Sequence, residues 1–579
     1  MRSNAQTLPE RERFTLNHRY KDTGHSMQHY DYIIVGAGSS ACVAAARLVQ
    51  EGGARVLMIE AGPRESSRLL GVPAGYMKFL ARDTYLTMHS TKAQPQLDGR
   101  APIVPQAKVL GGGSVVNAMV YMRGQAADYD RWDAATRAPG KASIDWSYAA
   151  MLPHFTAQED NDHLAGPFHG VGGPLKISHL GHTSPLSRAY VKTMQGLGVP
   201  YTPDFNGANQ FGVGFMQHTI DWRTRQRCSA IDAFLRPVMN DPRLTILTNA
   251  RVTRVLLEGG RATGVEYVHR NRTQTARADR EIVLAAGAYQ TPKLLMLSGI
   301  GPRDELERHG IVVQVALEGV GKNLQDHYEV PVVATTKGAF GYYGQDRGWP
   351  MIKASLQYLM FRSGPASTTG VETCAFFDPA GNNDEPTIQM FCVPTIYLDR
   401  DVMGTAPGHG VTINALLLRP RARGSVRLAS NDPAAAPVVD TGIFNHPDDL
   451  RVSMSGFRFA RQVLASQPLA DMVEREIFPG PEVTSDEAIA AHCKRTVKTG
   501  YHPVGTCRMG RDDDPLAVLS SDLKVRGVEG LRVIDASMMP TIVSGNTNAA
   551  VMAVADRAAD LMMNTLRMTE RGTAVRDAA

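Results

Sequence analysis

An α/β fold with a parallel sheet gathered from distant stretches of chain is what the sequence predicts, and three observations predict it. A short apolar run, Tyr32-Ile33-Ile34-Val35, enters a glycine turn. An alanine-rich helix follows, and the next apolar run, Val56-Leu57-Met58-Ile59, stops at an acid, Glu60. Runs of the same kind recur far downstream at 244–247, 281–284 and 531–534.

The first run has the continuous apolar character of a strand buried on both faces of a parallel sheet. Gly36-Ala-Gly38-Ser39-Ser40-Ala41 is the turn after it, and Ala44, Ala45, Ala46, Leu48 and Val49 give the helix a face small enough to lie close to a sheet. Gly52-Gly53 ends that helix. The whole is a β-α-β unit of about 30 residues. At its helix N-terminus the bare amides and the dipole favour a pyrophosphate, and Glu60, 22 residues after Gly38, is placed for the ribose hydroxyls. An acid there repels a 2′-phosphate, which argues against NADP. The usual third glycine is Ala41, expected to push the first helix slightly off the strand.

Two more segments and the C-terminal part carry further signals. Residues 107–124 place Gly111-Gly112-Gly113-Ser114 in a row, leaving amides open to a bulky planar or anionic ligand. Residues 287–301 read as a turn, an apolar helix and a closing glycine. In Tyr501-His502-Pro503 the proline restricts the histidine backbone to extended conformations. Asp535 ends a strand, and Asn546 stands just before a helix expected to begin near Asn548, where an amide is also a good N-cap.

Composition removes several function classes. Hydrophobic residues at 43% and charged residues at 21% are ordinary for a globular chain, so disorder is excluded as the bulk state. The net charge of +5, from 62 basic and 57 acidic residues spread along 579, is too diffuse for a nucleic-acid footprint. Arg419-Pro-Arg421-Ala-Arg423 reads as a solvated turn. Six scattered cysteines without a C-x-x-C pair form neither a zinc site nor a disulfide framework; no metal is expected. Residues 1–29 lack the apolar stretch of a secretory signal and read as a flexible tail, with Met27 an alternative start. No apolar run reaches the roughly 18 residues of a bilayer span. A cytoplasmic location follows, with peripheral association at the inner membrane left open.

Taken together, residues from about 30 to 563 resemble the glucose–methanol–choline (GMC) oxidoreductase family. Both of its signature stretches are present, at 107–130 and 287–301, followed by His502-Pro-Val-Gly-Thr-Cys and by Asp535-Ala-Ser…Gly545-Asn546-Thr-Asn548. The chain looks closest to bacterial alcohol and sorbose dehydrogenases. The resemblance implies a Rossmann-like FAD-binding domain with a discontinuous substrate domain built on an antiparallel sheet, α/β and α+β in class. The cofactor domain would take 30–149, 236–330 and 495–565, the substrate domain 150–235 and 331–494, and 566–579 would be a tail.

For the cofactor, the set is Gly36, Gly38, Ser39, Ser40, Glu60 and Ala61 from the first unit, then Gly111, Gly112, Ser114, Asn117, Met119 and Val120. Val252, Ala286, Gly287, Asp535, Ala536, Asn546 and Thr547 complete it. Family members with covalently attached flavin carry histidine where this chain has Val116, so FAD is expected to be non-covalent. The resemblance implies His502 as catalytic base and Asn546 as its partner. With an ordinary imidazole pKa of about 6.5, His502 would take an alcohol proton near pH 7, while hydride passes to the flavin and then to oxygen or a quinone.

Glu372 reads first as a solvated or ion-paired carboxylate, with facing the flavin and recognising a cationic alcohol as the lesser alternative. Phe340, Tyr342, Tyr343, Trp349 and Phe376 favour a partly apolar pocket, though core packing accounts for most of them. Two other readings stay open on sequence: a lyase or light-driven decarboxylase on the same fold, and a flavin-loaded protein without catalysis. The alcohol and the oligomeric state are not specified by these motifs.

Overall fold

A computed structural model of the chain describes residues 29–80, 83–137, 143–399, 402 and 404–577. The expected N-terminal tail, apart from His29, lies outside the described residues.

The buried apolar runs form one seven-stranded sheet in which Leu244–Leu247, Val56–Ile59, His29–Val35 and Arg272–Leu284 lie side by side in that order. All three of these pairings are parallel, and Leu531–Val533 adds in parallel to Arg272–Leu284. An antiparallel meander, Ala250–Glu258 and Arg261–His269, continues the other side. Ile33, Ile34, Leu57 and Met58 are fully buried or nearly so, as the continuous apolar runs of a covered parallel sheet should be.

One covering helix is α1, Ser39–Gln50, whose residues Ala41 to Ala46 are all buried. The turn before it requires glycine at 36, where φ is +91° and a Cβ would stand 2.5 Å from the Ala285 carbonyl oxygen. Next comes α2, Gly287–Leu297, closed by Gly299 at φ +79°. The helices α3, Gly348–Phe361, and α4, Pro447–Leu464, belong to the intervening chain. The last, α5, runs Asn548–Asp577, so helix continues into the stretch read as a C-terminal tail. Arg47 joins α1 to α5 by ion pairs to Asp556 (2.5 Å) and Asp560 (2.6 Å).

The second seven-stranded sheet is antiparallel throughout. Its main path is Val473–Phe478, Tyr328–Thr336, Gly410–Leu417, Ile388–Val393, Thr373–Phe377 and Gly212–Phe215. Alternation splits its side chains between two cores. Val330, Val332, Met390, Ile413 and Ala415 pack with Phe457 and Ala460 of α4. Cys374, Phe376, Phe391 and Leu416 point to the other side, with Val120 and Met122 of the glycine-rich segment. That second face meets the parallel sheet's loops, and the site lies there.

All six cysteines are buried and unpaired. Arg421 and Arg423 are exposed, as the solvated turn requires, and bond to Asp448 and Asn323 at the surface, while the half-buried Arg419 reaches Gln125 and Asp128. No helix among the described residues is long and apolar enough to cross a membrane.

Candidate active site

A cavity of about 600 Å³ runs between the two sheets. At one end it is lined by Gly36, Gly38, Ser39, Ser40, Glu60 and Ala61. The N-terminus of α1 has no side-chain cap, so its first amides are free for an anion. Glu60 is buried, its two oxygens accepting from the Ala37 amide (2.9 Å) and the Gly62 amide (2.7 Å). Burial raises its pKa, and each oxygen keeps a second lone pair for a ribose hydroxyl. Val252, Ala286, Gly287, Asp535 and Ala536 continue the wall, and Gly112, Val116, Asn117, Met119 and Val120 cross its middle. Val116 is a hydrocarbon with no atom for a covalent link.

Two of the expected residues are not on this wall. Gly111 and Ser114 lie behind it, where the Ser114 hydroxyl donates to the Gly111 carbonyl (2.6 Å) and accepts from the Ala230 amide (3.1 Å). They shape the loop from inside. So does Arg227, which sequence reasoning missed: its buried guanidinium donates to the Ser114 carbonyl (2.9 Å), the Asn117 side chain (2.7 Å) and the Asn117 carbonyl (2.8 Å). Nothing in its local sequence marks it. Met119 is held at φ +62°, with its amide on Asn117 Oδ1 (3.1 Å), a sparsely populated conformation for a side-chain-bearing residue.

At the far end His502, Asn546 and Thr547 reach the cavity. The His502 amide donates to Asp326 Oδ1 (2.8 Å), and the preceding Tyr501 is held at φ +67° by its amide on Thr499 Oγ1 (2.8 Å) and its hydroxyl on Asp399 (2.7 Å). Proline restricts the imidazole's backbone from one side and this strained residue from the other. Nδ1 of His502 lies 3.0 Å from Nδ1 of His327, whose Nε2 is 3.1 Å from the Leu418 carbonyl. A carbonyl only accepts, so His327 carries its proton on Nε2 and presents a bare Nδ1. His502 must then donate from Nδ1 and leave Nε2 bare. That nitrogen sits 3.1 Å from Asn546 Nδ2.

Burial keeps both rings neutral. It pushes His502 down to about 4, and it pushes His327 well below the ordinary imidazole value, with the His502 ring adding to the effect. The expectation of a base titrating near 6.5 is thereby corrected: a fully desolvated imidazole holds a proton poorly. Asn546 Oδ1 is buried without a partner, an open acceptor beside the bare nitrogen.

Glu372 does not line this cavity. It lines a separate, smaller cavity and accepts from the Ser184 amide (2.8 Å), the Thr368 hydroxyl (2.8 Å) and the Tyr342 hydroxyl. Only its neighbour Val371 reaches the large cavity. The apolar lining there is Val371, Phe391, Val393 and Leu416, not the five aromatics singled out from the sequence. Phe376 is core and Trp349 is exposed. A polar wall was also missed: Lys498 pairs with Glu329, and its ammonium lies 5.1 Å from the Tyr397 ring centroid and 5.5 Å from that of Tyr501. All four residues line the cavity.

Two models of one protein family match the chain. Residues 30–329 match the N-terminal model of the GMC oxidoreductases and residues 420–555 the C-terminal one. The chain belongs to the GMC oxidoreductase family. It is 37% identical over 548 residues to an alcohol dehydrogenase [acceptor] of Pseudomonas putida, covering 93% of this chain and 96% of that protein. It is 36% identical over 544 residues to human mitochondrial choline dehydrogenase, covering 93% and 90%.

Among solved structures it is similar to pyridoxine 4-oxidase from Mesorbium loti (TM-score 0.82, 31% identity, 92% and 98% covered). An FAD-dependent oxidoreductase from Chaetomium thermophilum gives a TM-score of 0.84 at 28% identity, covering 93% and 100%. The cofactor of this GMC oxidoreductase is FAD, and the uncapped α1 terminus, the buried acid at 60 and the glycine-walled centre of the cavity fit a dinucleotide with a flat ring.

Proposed function

We propose that this protein oxidises a neutral alcohol to an aldehyde or ketone, with His502 as the base and Asn546 as the group that holds the substrate oxygen. The observation that carries this reading is the bare Nε2 of His502, fixed by two neighbouring hydrogen bonds and facing Asn546 in the same cavity. Bound FAD supplies the hydride acceptor. Asn546 offers an N–H to the alcohol oxygen and cannot titrate, while Nε2 takes the hydroxyl proton. An alcohol is about as weak an acid as water, near ~16, and a base held near 4 cannot remove its proton in advance. Proton loss to His502 therefore keeps step with hydride departure, and positioning of both contacts sets the rate.

Residues Gly36, Gly38, Ser39, Ser40, Glu60 and Ala61 would hold the adenosine and pyrophosphate. Asn117, Met119, Val120, Asp535, Ala536 and Thr547 would border the ring. The cofactor domain assignment (30–149, 236–330, 495–565) and that of the substrate domain (150–235, 331–494) draw support from the two sheets. Strands 328–336 and 498–499 cross those limits to join the antiparallel one. A neutral substrate is favoured over a quaternary ammonium because the aromatic faces of Tyr397 and Tyr501 are already taken by the Lys498 ammonium. Oxygen or a quinone would reoxidise the flavin, in a cytoplasmic setting.

An anaerobic screen of alcohols, read by flavin bleaching, tests this. Primary alkanols or aryl alcohols should bleach the flavin and choline should not. Bleaching by choline alone would overturn the assignment of a neutral substrate.

A further inference from the structure

Helix α3 is built the wrong way round for a helix that packs on its own protein. Its buried side chains are Ala354 and Tyr358, one small and one polar-tipped, while Trp349 (71% exposed), Leu359 (64%) and Met360 (64%) face outward. Trp349, Ile352, Leu356, Leu359 and Met360 recur at helical spacing and fall on one side, opposite the buried pair. Seven of the eleven large hydrophobic side chains that stand exposed among the described residues belong to this one helix, five of them on the outward face, so the exposure is concentrated and not the usual scatter.

Basic residues frame the apolar face. Arg347 precedes the helix, Lys353 lies within it and Arg362 follows, against a single acid, Asp346, in the same stretch. No carboxylate among the described residues holds any of the three; Arg347 and Arg362 instead lie over the rings of Tyr343 (4.8 Å) and Tyr358 (5.4 Å). An outward apolar stripe containing tryptophan and flanked by free cations is the pattern of a helix that lies in the headgroup layer of a bilayer. Size favours lipid over a second copy of the chain. Fourteen residues at 1.5 Å each give a face about 21 Å long and about 10 Å wide, roughly a quarter of the ~800 Å² per partner that a stable dimer needs. A lipid surface needs no matching shape.

We propose that α3 docks this protein on an anionic lipid surface, with Trp349, Ile352, Leu356 and Leu359 entering the acyl boundary and Arg347, Lys353 and Arg362 meeting the headgroups. The turn after the helix, Pro365–Ser367, packs on Pro73–Gly75, which leads into the cavity-lining Tyr76 and Met77. The docked face thus stands next to that wall of the cavity.

Co-sedimentation of the purified FAD-loaded protein with vesicles tests the proposal, using phosphatidylcholine alone and phosphatidylcholine with phosphatidylglycerol. The wild type should bind the anionic vesicles, and Trp349 fluorescence, taken as the difference from Trp349→Phe, should shift to the blue. Leu356→Glu with Leu359→Glu should lower the partition coefficient at least tenfold, and Lys353→Glu at least fivefold on anionic vesicles only. Both changes are on the outer face, so flavin content and activity with a soluble dye should be unchanged, which separates loss of docking from misfolding. Absence of wild-type binding at millimolar lipid would overturn the proposal, as would equal binding by the double variant. A lipid-free dimer that the double variant dissolves would overturn it too, by assigning the face to protein.

Discussion

Individual residues decide how the base is presented. His502 is bare at Nε2 only because Leu418's carbonyl fixes the His327 tautomer, and His327 in turn fixes that of His502. Replacing His327 with Leu should free the imidazole to swap tautomers and slow anaerobic flavin reduction about 10-fold to 100-fold, without loss of FAD. A rate unchanged in stopped-flow would show that the tautomer is set elsewhere. Burial gives a second expectation. His502 acts as its neutral form, and its pKa is pushed down to about 4, so protonation removes activity only below that value. Reduction at saturating substrate should stay level from pH 8 to about 5, where an unperturbed imidazole would already have lost half its rate near 6.5. Asp326, pushed up to about 7 by burial, can accept the His502 amide either protonated or not. A midpoint near 6.5 that persists in Asp326→Asn would contradict this account.

His502 and Asn546 were legible in the sequence because their motifs are local. His327 was not, since its part arises from a contact 175 residues away in the chain. Glu372 stays away from the flavin cavity for a simpler reason: neighbours in extended chain point to opposite sides, and Val371 has the cavity side.

Among the elements, the first β-α-β unit was read from its pattern almost to the residue, because buried parallel strands and a tight glycine turn leave unmistakable runs. What the pattern predicts energetically is testable at Gly36. A Cβ there would collide with the Ala285 carbonyl at 2.5 Å, and φ of +91° is strained for any other residue. Gly36→Ala should therefore weaken FAD binding at least tenfold, seen as a lower flavin-to-protein ratio after dialysis, whereas retention of full flavin would show that the turn can shift. Helix α3 was the element least well read. Trp349 was offered for an apolar pocket on its residue type alone, and residue type does not say that this helix turns its apolar face away from the protein. The five aromatics offered for the pocket share that difficulty: the residues that line it, Phe391 and Leu416 among them, come from strands whose inward side only the sheet register defines.

At the scale of the whole molecule, the site exists because two sheets of different kinds meet over one cavity. The parallel sheet brings the α1 terminus and Glu60 to one end, and the antiparallel sheet with its loops brings Lys498 and His502, backed by His327, to the other. Only the first sheet was read from runs of residues; the second was inferred through family resemblance, since its short strands are spread from 212 to 499 without a common local signal. Every step of the proposed reaction depends on the imidazole at the junction of these two halves. The most direct test is the rate of anaerobic flavin reduction by a good alcohol substrate in His502→Ala, measured by stopped-flow on protein with full FAD content. A fall of at least about 10² is expected from loss of a general base; a rate within a few-fold of wild type would contradict the role given to His502.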